Sequence, residues 1–297
     1  MTNPVTLAVF TKNWSNPGYA AARLAADRVA REAGARTVHY VSETPDDVEQ
    51  QKALIGQAVK ARPDAVIFTP VDDVAMVEDA AKFAASGIPV ALFNNRMEGC
   101  FLTFVGSDDV AVGANGARAL FQALGGAGRI VAIEGTPAAP TSRDRTAGLR
   151  RALADHPGIE LLAAVPGLYQ RPPARQLMAE LLGTHKRIDG VWCANDLMAL
   201  GALDALAAVQ RSATIVGANG LPEAIGHIEN GTMLASVDFS PFRIAAMATR
   251  AALRHLKGES VPSTIMVPAV VIDRSNCAAW KIPLEQRPCP TWDEIVR

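Results

Sequence analysis

The sequence predicts an α/β protein built as two doubly wound parallel-sheet lobes, and three observations predict it. Apolar runs of strand length alternate with segments of helical period from end to end. The alternation breaks at Asn94-Asn95-Arg96 and restarts at Phe101, so the same pattern occurs twice. A chain of 297 residues also exceeds what one hydrophobic core usually serves.

Taken in order, Val5 to Phe10 precedes a helix over about Gly18 to Ala33, and Thr37 to Val41 precedes one over Asp46 to Ala61. Ala65 to Thr69 then precedes Val74 to Ala85, and Val90 to Phe93 closes the first half. The second half opens with Phe101 to Val105 and a helix over Val110 to Leu124. Arg129 to Glu134 leads into Thr141 to Ala154, and Leu161 to Val165 into Pro173 to Leu182. Val191 to Ala194, Thr214 to Val216 and Leu234 to Val237 each feed a further helix. A last strand, Met266 to Ile272, follows a long helix over Phe242 to Leu256 and brings the chain back between lobes. The helices are rich in Ala, which has the best helix propensity and lets a helix lie close against a sheet.

Composition narrows the function. The apolar share of 49% and charged share of 20% are those of an ordinary globule. With 29 Lys and Arg against 30 Asp and Glu, the net charge of -1 gathers no phosphates, so no nucleic acid is expected. No run of about 18 apolar residues could span a membrane. The four cysteines show no C-x-x-C spacing and are expected as buried free thiols, with Cys277 and Cys289 the one pair worth testing.

An enzyme is disfavoured, and no catalytic residue, metal or cofactor is expected. The glycines of "GGAGRIVAIEG" precede a strand, whereas a dinucleotide loop must follow one. The five histidines lack metal spacing, and no G-x-S-x-G elbow or Walker loop occurs. Asp72-Asp73 and Asp108-Asp109 fall where helices begin and read as caps.

In parallel α/β sheets, ligands sit outside the carboxyl ends of the strands. Those ends here carry "TKNWSNPGY" with Trp14, Asn16 and Tyr19, then "NNR", "GTPAAPTSRDR", "GLYQR", "AND", "ANG" and "DFSP". Asn offers donor and acceptor, Arg a fork of donors, and an aromatic ring covers the C–H face of a sugar. The mixture suits a polyhydroxylated ligand. "WCANDLMALGALDAL", from Trp192, poses the question most sharply: Asn195 and Asp196 stand between strand and helix, where a polar side chain either caps the helix or faces a ligand.

The stretches "NPGY" (16–19), "TSRDRTAGL" (141–149), "ANDLMALGALDAL" (194–206) and "VGANGLPEA" (216–224) resemble the periplasmic sugar-binding proteins of ABC transporters. The likeness is to the ribose-binding type of the type I solute-binding fold, relatives of lactose-repressor-like effector domains. It covers Leu7 to about Asp273. It implies one lobe of residues 1–107 plus 240–268 and another of 108–239 plus 269–297, joined by a three-crossover hinge near Ser107, Phe239 and Pro268. It also implies ligand contacts from Asn16, Tyr19, Asn95 and Arg96 in the first lobe. From the second come Arg143, Tyr169, Asn195, Asn219 and, more loosely, Asp238 or Phe239, with Trp14 a further ring at the rim. Asn195 would point at the ligand while Asp196 caps the helix.

Two departures stand out, for ribose-type relatives carry Asp where this chain has Asn95 and Asn219. A hydrogen bond to a charged group is worth roughly 1.5 to 3 kcal/mol against about 1 for a neutral one. The exchange therefore moves the expected ligand from an ordinary aldose toward a polyol, an unusual sugar or a ligand with an acidic group.

The resemblance implies a monomeric binding protein that captures a monosaccharide or sugar alcohol by hinge closure and presents it to an ABC transporter permease. A chemoreceptor or sensor kinase is the alternative partner. The effector core of a repressor-like regulator is the alternative function, against which no helix-turn-helix precedes the first strand; a small enzyme on the same fold ranks below it. The family implies the periplasm, while the N-terminus as written carries no secretory signal, so a cytoplasmic location is the alternative. The tail "IPLEQRPCPTWDEIVR" should run extended through its prolines and end in a capped turn over Thr291 to Glu294, with Trp292 pinning it down.

Overall fold

The computed structural model describes residues 4–296. Its contacts divide the chain into two units. The first comprises the chain up to Ser107, Ser240–Val267 and the chain from Leu284 on; the second comprises Asp108–Phe239 and Pro268–Pro283.

In the first unit, β1 (Thr6–Thr11), α1 (Pro17–Glu32), β2 (Arg36–Val41), α2 (Val48–Ala61), β3 (Ala65–Phe68), α3 (Val77–Ala85), β4 (Val90–Phe93) and β5 (Thr103–Gly106) alternate as the sequence pattern requires. The second unit continues with α4 (Asp109–Ala123), β6 (Gly128–Glu134), α5 (Pro140–Ala154), β7 (Ile159–Pro166), α6 (Arg171–Thr184), β8 (Gly190–Cys193), α7 (Asp196–Ala208), β9 (Thr214–Ala218), α8 (Pro222–Asn230) and β10 (Ala235–Asp238). Helix α9 (Pro241–Leu256) and β11 (Thr264–Met266) return to the first unit, and β12 (Val270–Ile272) to the second.

Both sheets have six strands in the same kind of order, β2-β1-β3-β4-β5-β11 and β7-β6-β8-β9-β10-β12. Every pairing is parallel except β10 with β12. Strands β3, β4, β5 and β8 are buried at every residue, because helices cover both faces; this is why they read as continuous apolar runs rather than alternating ones.

The first core centres on Phe10, Phe68 and Phe83, whose rings meet edge to face at 5.3 to 6.2 Å. The second centres on Trp192, Phe121 and Ile130. Burying each such side chain stabilises the fold by about 1.5 to 3 kcal/mol. Close helix approach depends on small residues at two points. A Cβ at Gly113 would stand 2.0 Å from the Arg145 carbonyl oxygen, and one at Gly148 2.1 Å from that of Val110, so α4 and α5 touch backbone to backbone.

Three expectations are corrected. The strand over Met266 to Ile272 is two strands in two sheets: Pro268, which has no N–H to give a ladder, stands between them. The tail lies with the first unit, not the second. Arg28 Nη1 donates to the carbonyls of Leu284, Glu285 and Arg287 at 2.7 to 3.3 Å, and Arg250 Nε to that of Pro290 at 2.8 Å. The chain thus crosses between units four times, after Ser107, Phe239, Val267 and Pro283. Within the tail, Thr291 and Glu294 form the capping box of α10 (Trp292–Ile295), and Arg254 stacks 4.6 Å over the Trp292 ring. Finally, all four cysteines are free, but only Cys193 and Cys277 are buried; Cys100 is exposed in the β4–β5 connection, and Cys289 is partly covered in the tail.

Candidate ligand-binding site

In the first unit, the strand order reverses between β1 and β3, and β4 lies next to β3. The loop after β1 is stiffened by Asn13, whose Oδ1 accepts from Ser15 Oγ and from the Asn16 amide. Asn16 is buried and N-caps α1, its Oδ1 accepting from the Gly18 amide at 2.9 Å. Trp14 is 56% exposed, with the Arg23 guanidinium 4.3 Å from its ring centroid. Arg23 in turn donates to Thr11 Oγ1 and the Asn13 carbonyl, and burial lowers its pKa. Tyr19 is half-buried on the first turn of α1.

Asn95 is fully buried, and both ends of its amide are engaged within the unit. Nδ2 donates to the Pro70 carbonyl and Oδ1 accepts from Asn94 Nδ2, each at 3.1 Å, which ties the end of β4 to the loop after β3. Arg96 is exposed and lies 4.0 Å over the Phe104 ring, with Nη2 3.8 Å from Met266 Sδ.

In the second unit, Arg143, Tyr169 and Asn195 follow β6, β7 and β8. Arg143 is exposed on the first turn of α5, Nη1 donating to the Ala138 carbonyl at 2.9 Å. Tyr169 and Leu168 both adopt left-handed backbone, φ 59° and 56°, which turns the Tyr169 ring over Gly135; a Cβ there would stand 2.2 Å from the ring. The Tyr169 hydroxyl is 3.1 Å from Thr141 Oγ1, and its carbonyl accepts from Asn195 Nδ2 at 3.2 Å.

The helix cap expected of Asp196 is supplied by Asn195. Asn195 has extended backbone and N-caps α7, its Oδ1 accepting from the Met198 amide at 2.9 Å. Asp196 is the first residue inside the helix, too far along to cap it. Its carboxylate instead accepts from the Leu221 amide and Ser236 Oγ at 2.7 to 2.9 Å, joining α7 to the ends of β9 and β10. Complete burial pushes its pKa up to about 6, against the lowering effect of those hydrogen bonds.

Asn219, after β9, holds φ 125°, a conformation side chains rarely adopt, and its Oδ1 is buried without a hydrogen-bond partner. Such strain persists only where the surroundings impose it and gathers at functional positions. Asp238 ends β10 and accepts from Trp280 Nε1 at 2.8 Å. Phe239 is buried, its ring beneath the Arg145 guanidinium at 4.3 Å.

Arg145 went unnoticed in the sequence. It is buried, pairs with Asp109 at 2.7 Å and donates to the Ala194 carbonyl at 2.8 Å, so it fixes the residue that precedes Asn195. Burial raises the Asp109 pKa to about 6 even with this partner. The signal was the spacing: two positions from Arg143 on α5, Arg145 must face the opposite side. Of the supposed cap pairs, Asp108 does cap α4, accepting from the Ala111 amide, while Asp72 closes a turn ahead of α3 by accepting from Val74 and Ala75.

Buried oxygens lacking any protein partner recur at strand carboxyl ends. In the first unit those at carboxyl ends are Ser42, Thr69, Asn94 and Ser107, directly after β2, β3, β4 and β5, while Thr103 lies at the amino end of β5; in the second they are Glu134 at the end of β6 and Asn219 after β9. Among the described residues no three His, Cys, Asp or Glu side chains gather as metal ligands, and no helix is long and apolar enough to cross a membrane.

The chain is similar to a ribose import binding protein of Bacillus subtilis, 26% identical over 264 residues that cover 89% of this chain and 85% of the relative. It is 29% identical over 249 residues to a xylitol-binding protein of Mycolicibacterium smegmatis, covering 82% and 71%. A solved periplasmic solute-binding protein of an ABC transporter from Actinobacillus succinogenes, with bound D-allose, superimposes with a TM-score of 0.88 at 27% identity, over 93% of this chain and 99% of that one. The family pattern described as periplasmic binding protein domain matches residues 7–260, and with the twin parallel sheets and polar strand ends this establishes that the chain belongs to the periplasmic binding protein family.

Proposed function

We propose that the protein captures a small polyhydroxylated ligand, a monosaccharide or sugar alcohol, at the strand-end rims of its units and delivers it to the membrane permease of an ABC transporter. The observation that carries this is the set of polar side chains at the strand carboxyl ends, among which Asn219 Oδ1 is buried without a protein partner. A buried oxygen costs about 1 to 3 kcal/mol when left unpaired. A ligand with a hydroxyl on every carbon can pair several such side chains at once. The ribose, xylitol and D-allose in the names of its relatives are ligands of this kind.

Arg143, Tyr169, Asn195, Asn219 and Asp238 form the second unit's share of the site, and Trp14, Asn16, Tyr19 and Arg96 the first's. Asn95, engaged by Pro70 and Asn94, and Asn195, engaged by Tyr169 and Met198, each offer a ligand the hydrogen-bonding capacity their amides have left. The chain crossings after Ser107, Phe239 and Val267 act as the hinge, and a ligand favours the hinge conformation to which it binds more tightly. The periplasm is the place of action.

A thermal-shift screen against D-ribose, D-allose, xylitol, other pentitols and D-gluconate tests the reading, since a ligand bound only to the native state raises the melting temperature. A rise with one or more sugars or polyols is expected. Melting temperatures unmoved across the whole panel would overturn the ligand class.

A further inference from the structure

We infer that Trp280 is a positioning residue of the binding site, setting the carboxylate of Asp238 and the turn that carries Asn219; this rests on the placement of those two residues in the site proposed above. Trp280 lies outside the stretch that matches the family pattern, which ends at residue 260. It belongs to a short 3₁₀ helix, Cys277–Lys281, that follows the edge strand β12.

Three contacts fix it against the second unit. Cys277 is buried in the core, Asn276 Nδ2 donates to the Val271 carbonyl at 2.9 Å, and Lys281 pairs with Glu229 of α8 at 2.7 Å. From this platform the indole N–H donates to Asp238 Oδ2 at 2.8 Å, a charge-assisted bond that is stronger than a neutral one. The same indole backs the turn after β9. Gly220 has φ 64°, and a Cβ there would stand 3.3 Å from Trp280 Cδ1, 2.8 Å from Ile272 Cδ1 and 3.4 Å from Asp238 Cβ. Ser236 Oγ holds the other side of that turn, accepting from the Gly220 amide at 2.9 Å.

Gly220, the residue after Asn219, is therefore held between a hydrogen-bonded serine and a tryptophan, and Asn219 beside it keeps φ 125°. One ring thus governs the aim of two adjacent strand-end groups. Without this donor the carboxylate loses one of the contacts that set its rotamer, and binding a ligand would have to restore that setting.

Trp280→Phe keeps the ring and removes the donor. Calorimetric titrations with D-ribose, D-allose and xylitol are to be run on wild type, Trp280→Phe, Asp238→Ala and the double variant. For each sugar that wild type binds, Trp280→Phe is expected to weaken binding about tenfold, the worth of one charged hydrogen bond. The double variant should bind no more weakly than Asp238→Ala alone. A Trp280→Phe dissociation constant within about twofold of wild type, or losses that multiply in the double variant, would overturn the inference. So would a neutral Asp238→Ala beside a damaging Arg143→Ala, which removes Asp238 from the site. If wild type binds none of the three and the whole thermal-shift panel also leaves its melting temperature unmoved, the sugar reading fails by itself. Unliganded crystal structures then decide Trp280: a carboxylate and a 219–220 turn unmoved in Trp280→Phe would overturn its positioning role.

Discussion

Arg145 Nε donates to Asp109 Oδ1 at 2.7 Å inside the second unit, where both side chains are almost wholly buried. The pair joins the start of α4 to α5. Through Nη1 it also reaches the Ala194 carbonyl at the end of β8, and its guanidinium covers Phe239 at the end of β10. Two strand ends and two helices are held by one ion pair, and Gly113 and Gly148 let the helices come close enough for it.

Breaking such a pair strands a charge in the interior. Asp109→Ala should destabilise the fold by about 3 to 5 kcal/mol, whereas Asp109→Leu with Arg145→Met should recover most of that loss. Urea denaturation of the two variants checks this; equal stabilities would show that the charge of Arg145 is not confined as described.

Asp196 makes stability depend on pH in a defined direction. Its native pKa of about 6 lies above the ordinary 3.8, so between those values the folded protein holds a proton that the unfolded chain has released. Unfolding free energy should accordingly fall by about 2 to 3 kcal/mol from this group as pH rises from 4 to 6, then level off. Asp196→Asn should flatten that slope, with Asp109 retaining its own share. Denaturation midpoints taken across this range would reveal an unchanged slope if the assignment fails.

Asn219 separates stability from binding. Glycine accepts φ 125° without strain, so Asn219→Gly should stabilise the protein by about 1 kcal/mol while weakening ligand binding through loss of the amide. The melting temperature without ligand and the dissociation constant are both expected to rise; a variant that binds as tightly as wild type would remove Asn219 from the site.

Arg143 is exposed, so its loss should spare the fold. Arg143→Ala is expected to weaken sugar or polyol binding by about 2 kcal/mol with an unchanged melting temperature in the absence of ligand. Unaltered affinity would exclude it.

The alternation of strands and helices was legible because parallel strands covered on both faces must be apolar throughout, and Val90–Phe93 falls on its expected bounds. The rims were legible for the complementary reason, since topology alone places the residues after each strand on one edge. What escaped depended on distances across the chain. Nothing near Asn195 or Asp196 reveals which one caps α7, because the choice is made by Leu221 and Ser236, 25 and 40 positions away. The same holds for Asn95, whose amide is engaged by Pro70, and for Trp280, whose partner Asp238 lies 42 positions earlier. Pro268 was visible, but its effect, a break that sends two three-residue strands to different sheets, follows from the neighbours each half finds.

The fourth crossing bears on how this molecule could be made into an optical reporter. Leu284, Glu285, Arg287 and Pro290 are fastened to α1 and α9, so a fluorescent protein or affinity handle appended after them travels with the amino-terminal half. A two-colour design would place its second dye on an exposed position of α5 or α6, after Cys100, the one exposed thiol, has been replaced to keep labelling single-sited.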